Sequence, residues 1–416
     1  MATRQLEMAA PAARTKAGTR PRRIWALLAA LLLPLAISAC STPKRLAAVP
    51  VSQTALADPG ISHIRFFAIR DPKPFAEEAV ASIQKEQAWL ASQGKTGPLP
   101  PAYYLAISGG GDNGAYGAGV LTGWTQAGTR PEFKIVTGVS TGALSAPFAF
   151  LGPKYDAQLT AVYTQVSQKD IFKMRGMIAG IFGDAMADSA PLGAMVARYV
   201  DPALLDAIAA EYAKGRLLLV GTTNLDAMEP VIWNMTAIAA SKDPGALKLF
   251  RRILLASASI PGVFPPVMLD VNVDGVQHQE MHVDGGTVAQ VFLYPPSIRS
   301  AITGPIVERK RVLYIIRNAR LDPDWASVER KTLSIAARAI SSLTQTQGVG
   351  DLYRIYTTTQ RDGIDYNLTF IPRTFTVPHT TEFDTNYMRQ LYGLGQEMAK
   401  NGLSWQKTPP GFDGAP

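Results

Sequence analysis

From about residue 102 onward, short apolar runs of strand length alternate with longer runs of helical periodicity. This alternation restricts the fold more than any other feature of the chain. Residues 103–108, 133–136, 216–222, 281–283 and 312–317 read as strands. Between and after them, 116–126, 143–150, 203–214, 333–343 and 387–400 read as helices. Strands interleaved with helices must be covered on both faces, so the expected fold class is α/β, with a mainly parallel central sheet flanked by helices. No linker interrupts 102–401, which reads as one large domain. A composition of 47% hydrophobic and 18% charged residues supplies the core that such a domain needs and excludes wholesale disorder. A single cysteine and the lack of a short repeat exclude disulfide-scaffold, collagen and coiled-coil classes.

The amino terminus reads as an address. Arg20, Arg22 and Arg23 precede an uncharged run of 16 residues, 24–39, that contains Pro34. This is the form of a secretory signal and is shorter than the ~20 residues of a helical span. The only cysteine, Cys40, directly follows Ile37-Ser38-Ala39. That stretch resembles the lipobox of bacterial lipoproteins, in which the cysteine is lipidated and becomes the first residue. Ser41 after the cysteine favours the outer membrane if the cell is diderm, and a lipid would anchor the protein without spanning the bilayer. The leader also disposes of a nucleic-acid reading. Most of the net charge of +8 sits in Arg4, Arg14, Lys16, Arg20, Arg22 and Arg23, opposed there only by Glu7. Residues 41–60, rich in Pro, Ala and Ser, read as a tether, and 74–92 as a helix ended by Gly94, Gly97, Pro98, Pro100 and Pro101.

Three glycine-bearing motifs follow strands. The first is Gly109-Gly110-Gly111-Asp112-Asn113-Gly114, whose bare N–H groups at a helix start suit a pyrophosphate or a developing oxyanion. The second is Gly138-Val139-Ser140-Thr141-Gly142, a nucleophile-elbow pattern. The third is Asp284-Gly285-Gly286, a carboxylate at a strand end. Either of the first two arises by chance about 0.2 times in a chain this rich in glycine. Their order, each at the end of an expected strand, is what carries weight.

SGGGDNGAYGAGVL, GVSTGAL, ASASIPGVFPPV and the later VDGG together resemble the patatin-like phospholipase family, from about Tyr103 through Tyr294, with YIIRNAR and FDTNYMRQLYGLGQEMAKNG continuing the domain toward Gly402. The resemblance implies a patatin-like three-layer architecture. It also implies a Ser140 nucleophile, Asp284 as its base in a dyad without histidine, and Gly110 and Gly111 as oxyanion donors. One departure is Asn113, where members commonly carry Arg or Lys. The resulting division is a lipoprotein signal peptide (1–39), a tether and helical segment (40–101), a catalytic core (102–300), and a continuation with a tail (301–416).

The expected function is acyl hydrolysis of membrane lipid through an acyl-enzyme, with no cofactor, metal or nucleic acid. An aspartate at its reference pKa of about 3.9 is a feeble base, so Asp284 is expected to be buried and within reach of Ser140. Three alternatives stand beside this reading. Ser140, Asp284 and His379 follow the Ser…Asp…His order of α/β-hydrolases, although His379 reads as a surface or structural residue. The first glycine motif could bind a dinucleotide, with Glu132 as a loosely placed ribose acid. The chain could also be a non-catalytic envelope lipoprotein. His282, two residues before Asp284, reads as structural. Met174, Met177, Met186 and Met195 could form a lid for an acyl chain, with packing helices the plainer reading. Asp201-Pro202 and 259–262 read as turns.

Overall fold

A computed structural model describes residues 44–67, 69–176, 183–302 and 307–412. Cys40 and Met177 lie outside the described residues. The main sheet has nine strands: β1 (Arg65–Phe67), β2 (Ala102–Ile107), β3 (Ile135–Val139), β4 (Leu217–Asn224), β5 (Glu229–Asn234), β6 (Val267–Val273), β7 (Val276–Asp284), β8 (Arg311–Arg317) and β9 (Asp365–Phe370). Its longer helices are α1 (Lys73–Ser92), α2 (Gly114–Gln126), α3 (Thr141–Leu151), α4 (Asp156–Thr164), α5 (Ala190–Tyr199), α6 (Pro202–Ala213), α7 (Ala246–Ser257), α8 (Thr332–Asp362) and α9 (Thr385–Lys400).

The strand order is β1-β5-β4-β3-β2-β8-β9, with β7 paired to β4 and β6. The five strands β4-β3-β2-β8-β9 are mutually parallel. All eight residues of β4 are buried, as a strand covered on both faces requires. Successive side chains divide between the layers. Leu105 and Ile107 of β2 join α2, α3 and α9 in the largest core cluster, whereas Ala106 joins Leu352 and Ile355 of α8. Leu217 and Leu219 pack instead with Phe75 and Ala76 of α1. Helices thus cover both faces of a mixed, mainly parallel sheet, which is the α/β three-layer arrangement.

Several elements differ from the sequence reading. The run at 133–136 becomes β3 over Ile135–Val139, so the strand leads directly into Ser140. The run at 281–283 is the end of a nine-residue strand that is antiparallel to β4 and not a further parallel one. Its partner β6 was missed because DVNVDGVQHQ is polar, although Asp274-Gly275, both at positive φ, is a hairpin signal. The helix expected at 333–343 extends to Asp362 and ends at left-handed Gly363, because Leu352 and Ile355 bury against the sheet. Asp201-Pro202 is the start of α6, with the Asp201 carboxylate capping Leu204 N–H at 2.8 Å.

Within the expected tether at 41–60, residues 45–58 are seated on the β6–β7 hairpin and the β4–β5 turn instead. Arg45 makes two 2.8 Å contacts with Asp226, Leu46 N–H donates to Gln279 Oε1 at 2.9 Å, and Asp58 bridges Asn272. Ala57 and Val49 cover Val271 and Val273. Low apolar periodicity concealed this segment because its attachment is largely by hydrogen bonds.

Candidate active site

Two strands meet end to end beside β4. β3 pairs with β4 up to Val139↔Gly221, and β7 pairs with the same strand from Thr222↔Asp284 onward. β5 already occupies the other edge of β4 at Thr222–Asn224, so β7 continues the line of β3 from the opposite direction. Ser140 follows the last residue of β3, and Asp284 is the last residue of β7. The pairing register therefore brings the two side chains together.

Local geometry holds them there. Ser140 has φ 56° and ψ −126°, a left-handed conformation that a side chain adopts at a cost and that raises its hydroxyl clear of strand and helix. The turn leaves no room at its flanks: a Cβ on Gly138 would overlap Gly142, and one on Gly142 would overlap the Ile107 carbonyl. Ser257 at the end of α7 ties the turn down, accepting from Ser140 N–H at 3.0 Å and donating to the Gly221 carbonyl at 2.7 Å. The Asp284 backbone is held by its N–H to the Ser259 carbonyl at 2.9 Å and by Thr223 Oγ1 on its carbonyl at 3.0 Å.

Asp284 and Ser140 are both buried. Oδ1 of Asp284 accepts Gly286 N–H at 2.7 Å, whereas Oδ2 is buried without a well-formed hydrogen bond. Burial pushes the carboxyl up to about 7, with the Ser140 hydroxyl and Gly286 N–H acting in the opposite direction. The Ser140 hydroxyl thus acts on the carboxyl while Oδ2 lacks hydrogen-bond geometry. We read this as close approach and not a formed bond, as in many unliganded sites.

The glycine loop forms the facing wall. A Cβ on Gly109 would stand 3.2 Å from Ser140 Cβ and 3.1 Å from Gln290 Oε1. Gly110 (φ 152°) and Gly111 (φ 58°) precede α2, and among the described residues no acceptor takes their N–H groups. Close packing also explains the other motif glycines. A Cβ on Gly114 would strike Thr141 and Tyr163, one on Gly285 the Gly221 carbonyl, and one on Gly286 the Gln290 amide. Beside Ser140 and Gly111 opens a small apolar pocket lined by Leu144, Leu192, Met195 and Phe264.

Residues that the sequence reading left without a role brace this wall. Asn318, after β8, donates from Nδ2 to the Ser108 carbonyl at 2.9 Å and accepts Gly117 N–H at 3.0 Å. The Gln290 backbone carbonyl accepts Gly109 N–H at 2.9 Å, and its side-chain Nε2 donates to the Gly286 carbonyl at 2.8 Å. Neither type has a local pattern, and only YIIRNAR within the family resemblance pointed toward Asn318.

The histidine-containing triad is not assembled. His379 Nε2 lies 2.7 Å from Asp112 Oδ2, which also accepts Phe383 N–H at 2.8 Å. That contact raises the imidazole pKa and uses His379 to brace the glycine loop instead of reaching Asp284. His282 is buried between Thr222 and Glu280, at 3.0 and 3.2 Å, away from the Asp284 carboxyl. Glu132 precedes β3, at the amino ends of the parallel strands and so at the opposite end of the sheet from the glycine loop, and is 72% exposed, so it cannot hold a ribose there. Of the methionines considered for a lid, Met195 lines the cavity, while Met174 and Met186 are exposed. Asp112, His379 and Glu382 are close enough to share a cation, but Asp112 Oδ2 is already engaged by hydrogen bonds.

A family model described as patatin-like phospholipase matches residues 105–295. The match covers the glycine loop, the Ser140 turn and Asp284, and it assigns the domain to lipid hydrolysis in general. Among solved structures, the crystal structure of VipD from Legionella pneumophila is similar at 11% identity and a TM-score of 0.35, over 74% of this chain and 67% of that one. No curated protein matches the chain.

Proposed function

We propose that the chain hydrolyses acyl esters of membrane lipids by a Ser140–Asp284 dyad through an acyl-enzyme. Asp284 Oδ2 takes the Ser140 proton as Oγ attacks the ester carbonyl carbon. The tetrahedral oxyanion receives the free N–H groups of Gly110 and Gly111, each such donor being worth about 3 kcal/mol of barrier. Collapse breaks the ester C–O bond, and the leaving alcohol takes the proton from Asp284. Water then attacks the acyl-Ser140 carbonyl and passes a proton to Asp284. The second collapse releases fatty acid as the proton returns to Oγ. The observation that carries this reading is the end-to-end meeting of β3 and β7 beside β4, which puts a strained serine against a carboxyl held near pKa 7. The apolar cavity beside Ser140 has the character of an acyl-chain site.

A fluorophosphonate probe should label the wild type but not Ser140→Ala. Asp284→Asn should lower ester hydrolysis by at least about 1,000-fold. His379→Ala should retain activity within about tenfold, since its ring braces Asp112. Wild-type protein that neither labels nor turns over lipid esters would instead identify a non-catalytic envelope lipoprotein.

We also propose that Cys40 is acylated and holds the protein to the cell envelope, at the outer membrane in a diderm cell. The leader 1–39 and the Ile37-Ser38-Ala39-Cys40 sequence support this reading. Intact-mass measurement should find the lipid on the mature amino terminus. Cys40→Ser should move the protein to the soluble envelope fraction, and an unmodified cysteine in membrane-bound wild type would refute the anchor.

A further inference from the structure

Between β9 and α9 the chain runs through residues 371–384 without helix or strand. A connection of that length inside a packed domain usually carries function. It lies outside residues 105–295, so the family match does not cover it. Its far end is tied to the glycine loop through both polar side chains of that loop. Asp112 Oδ2 accepts Phe383 N–H at 2.8 Å and lies 2.7 Å from His379 Nε2. Asn113 Oδ1 accepts from Tyr387 Oη at 2.6 Å. Asp112 is buried and directly follows Gly111, so the carboxylate that holds this strap sits one residue from an oxyanion donor of the proposed mechanism.

Phe383 is the strained residue of the strap. Its φ is 58°, in the left-handed region that a bulky side chain rarely occupies. It is pinned there from both sides. Asp112 holds its N–H, and the next residue, Asp384, is fixed as the cap of α9, accepting Tyr387 N–H at 2.9 Å. Glycine would take this conformation without cost, so the strain is borne together with a phenyl ring. Phe383 lines the apolar pocket that also contains Ser140 and Gly111. Its ring stands edge-on to Phe172 at 6.1 Å, and Phe172 in turn meets Phe264 of the pocket wall at 5.7 Å. Phe172 and Phe264 are buried, whereas Phe383 is half-buried, which places it at the mouth of the pocket and not in its depth. A strained bulky residue held at the opening of a reactive site is the kind of outlier that function retains.

We infer that Phe383 is a specificity-determining residue for the acyl group, its ring narrowing the mouth of the pocket beside Ser140 so that unbranched acyl chains enter and those branched next to the ester carbonyl are turned away. The inference rests on the Ser140 reading and adds which acyl groups that site accepts. Branching is the property selected because Phe383 is tethered to the residue after Gly111, on the oxyanion side of the pocket. It therefore faces the first carbons of the acyl group and not the far end of the chain. Asp112 is a positioning residue, setting through the Phe383 N–H how far the ring projects over the opening.

The test compares the full chain with Phe383→Ala, Phe383→Leu and Phe383→Trp on p-nitrophenyl butyrate and p-nitrophenyl isobutyrate, whose acyl groups are isomers that differ in branching. The readout is the ratio of kcat/KM for butyrate to that for isobutyrate, in which a general loss of activity or of folded protein cancels. Phe383→Ala should lower the ratio at least about fivefold, because the branched ester gains access. Phe383→Leu should lower it less, and it keeps the test decisive if the alanine variant does not fold. Phe383→Trp should raise it. Asp112→Ala, which releases the Phe383 N–H, should move the ratio in the same direction as Phe383→Ala. Equal losses on both esters in the alanine and leucine variants mean a purely structural role and overturn the inference, as does a ratio that neither variant moves. Wild-type protein inactive on both esters would instead sink the underlying hydrolase reading.

Discussion

At the residue scale, Asp284 combines two demands that oppose each other. In the proposed dyad it must be charged to accept the Ser140 proton, yet the burial that would strengthen it as a base also favours its neutral form. With the carboxyl near 7, kcat/KM on a soluble ester should fall about tenfold per pH unit below that value and level off above it. A stopped assay on p-nitrophenyl butyrate from pH 5 to 9 checks this. An acid limb centred near 4 would mean that Asp284 is solvated during turnover. The identities of Ser140 and Asp284 were legible because their flanking glycines have a steric reason visible in the sequence. The supports Ser257 and Asn318 were not, since amide and hydroxyl side chains that brace backbone atoms from distant segments leave no local pattern.

At the element scale, elements were legible where local residues mark their ends and illegible where tertiary burial sets them. The end of α2 and both ends of α9 fall within two residues of expectation, because glycine and capping residues mark them. β6 and most of β7 were missed because one face of the hairpin is polar and solvated. The glycines within α2 have a purpose that only packing reveals. A Cβ on Gly119 would overlap the Tyr392 carbonyl, and one on Gly123 the Gln396 carbonyl, so α9 lies directly on this face. Gly123→Ala should therefore destabilise the protein by about 1–3 kcal/mol despite alanine's helix preference of ~1 kcal/mol. Gly393→Ala in α9, where nothing lies within 4 Å, should be neutral or stabilising by up to about 1 kcal/mol. Urea denaturation of the pair checks both signs.

At the scale of the whole molecule, the buried carboxyl affects stability as well as chemistry. Its folded pKa, about 7, lies above the ordinary 3.8, so the folded state binds this proton more tightly than the unfolded chain. The corresponding stability is fully present below about pH 4 and lost as pH rises through 7. Asp284→Asn should remove a cost of up to about 4 kcal/mol at pH 8 and raise Tm there by several degrees, with little gain at pH 4. Thermal unfolding at the two pH values checks it; a variant less stable than wild type at pH 8 would show that the carboxylate is better solvated than its burial indicates. Consecutive residues alone specify the α/β class, the glycine loop, the strained serine turn and the carboxylate at a strand end, because backbone sterics and burial periodicity are local properties. Long-range packing set the rest: that β7 runs antiparallel into the line of β3, and that His379 serves Asp112. Each of those depends on which distant segments share an edge or a cavity, and no stretch of consecutive residues encodes that.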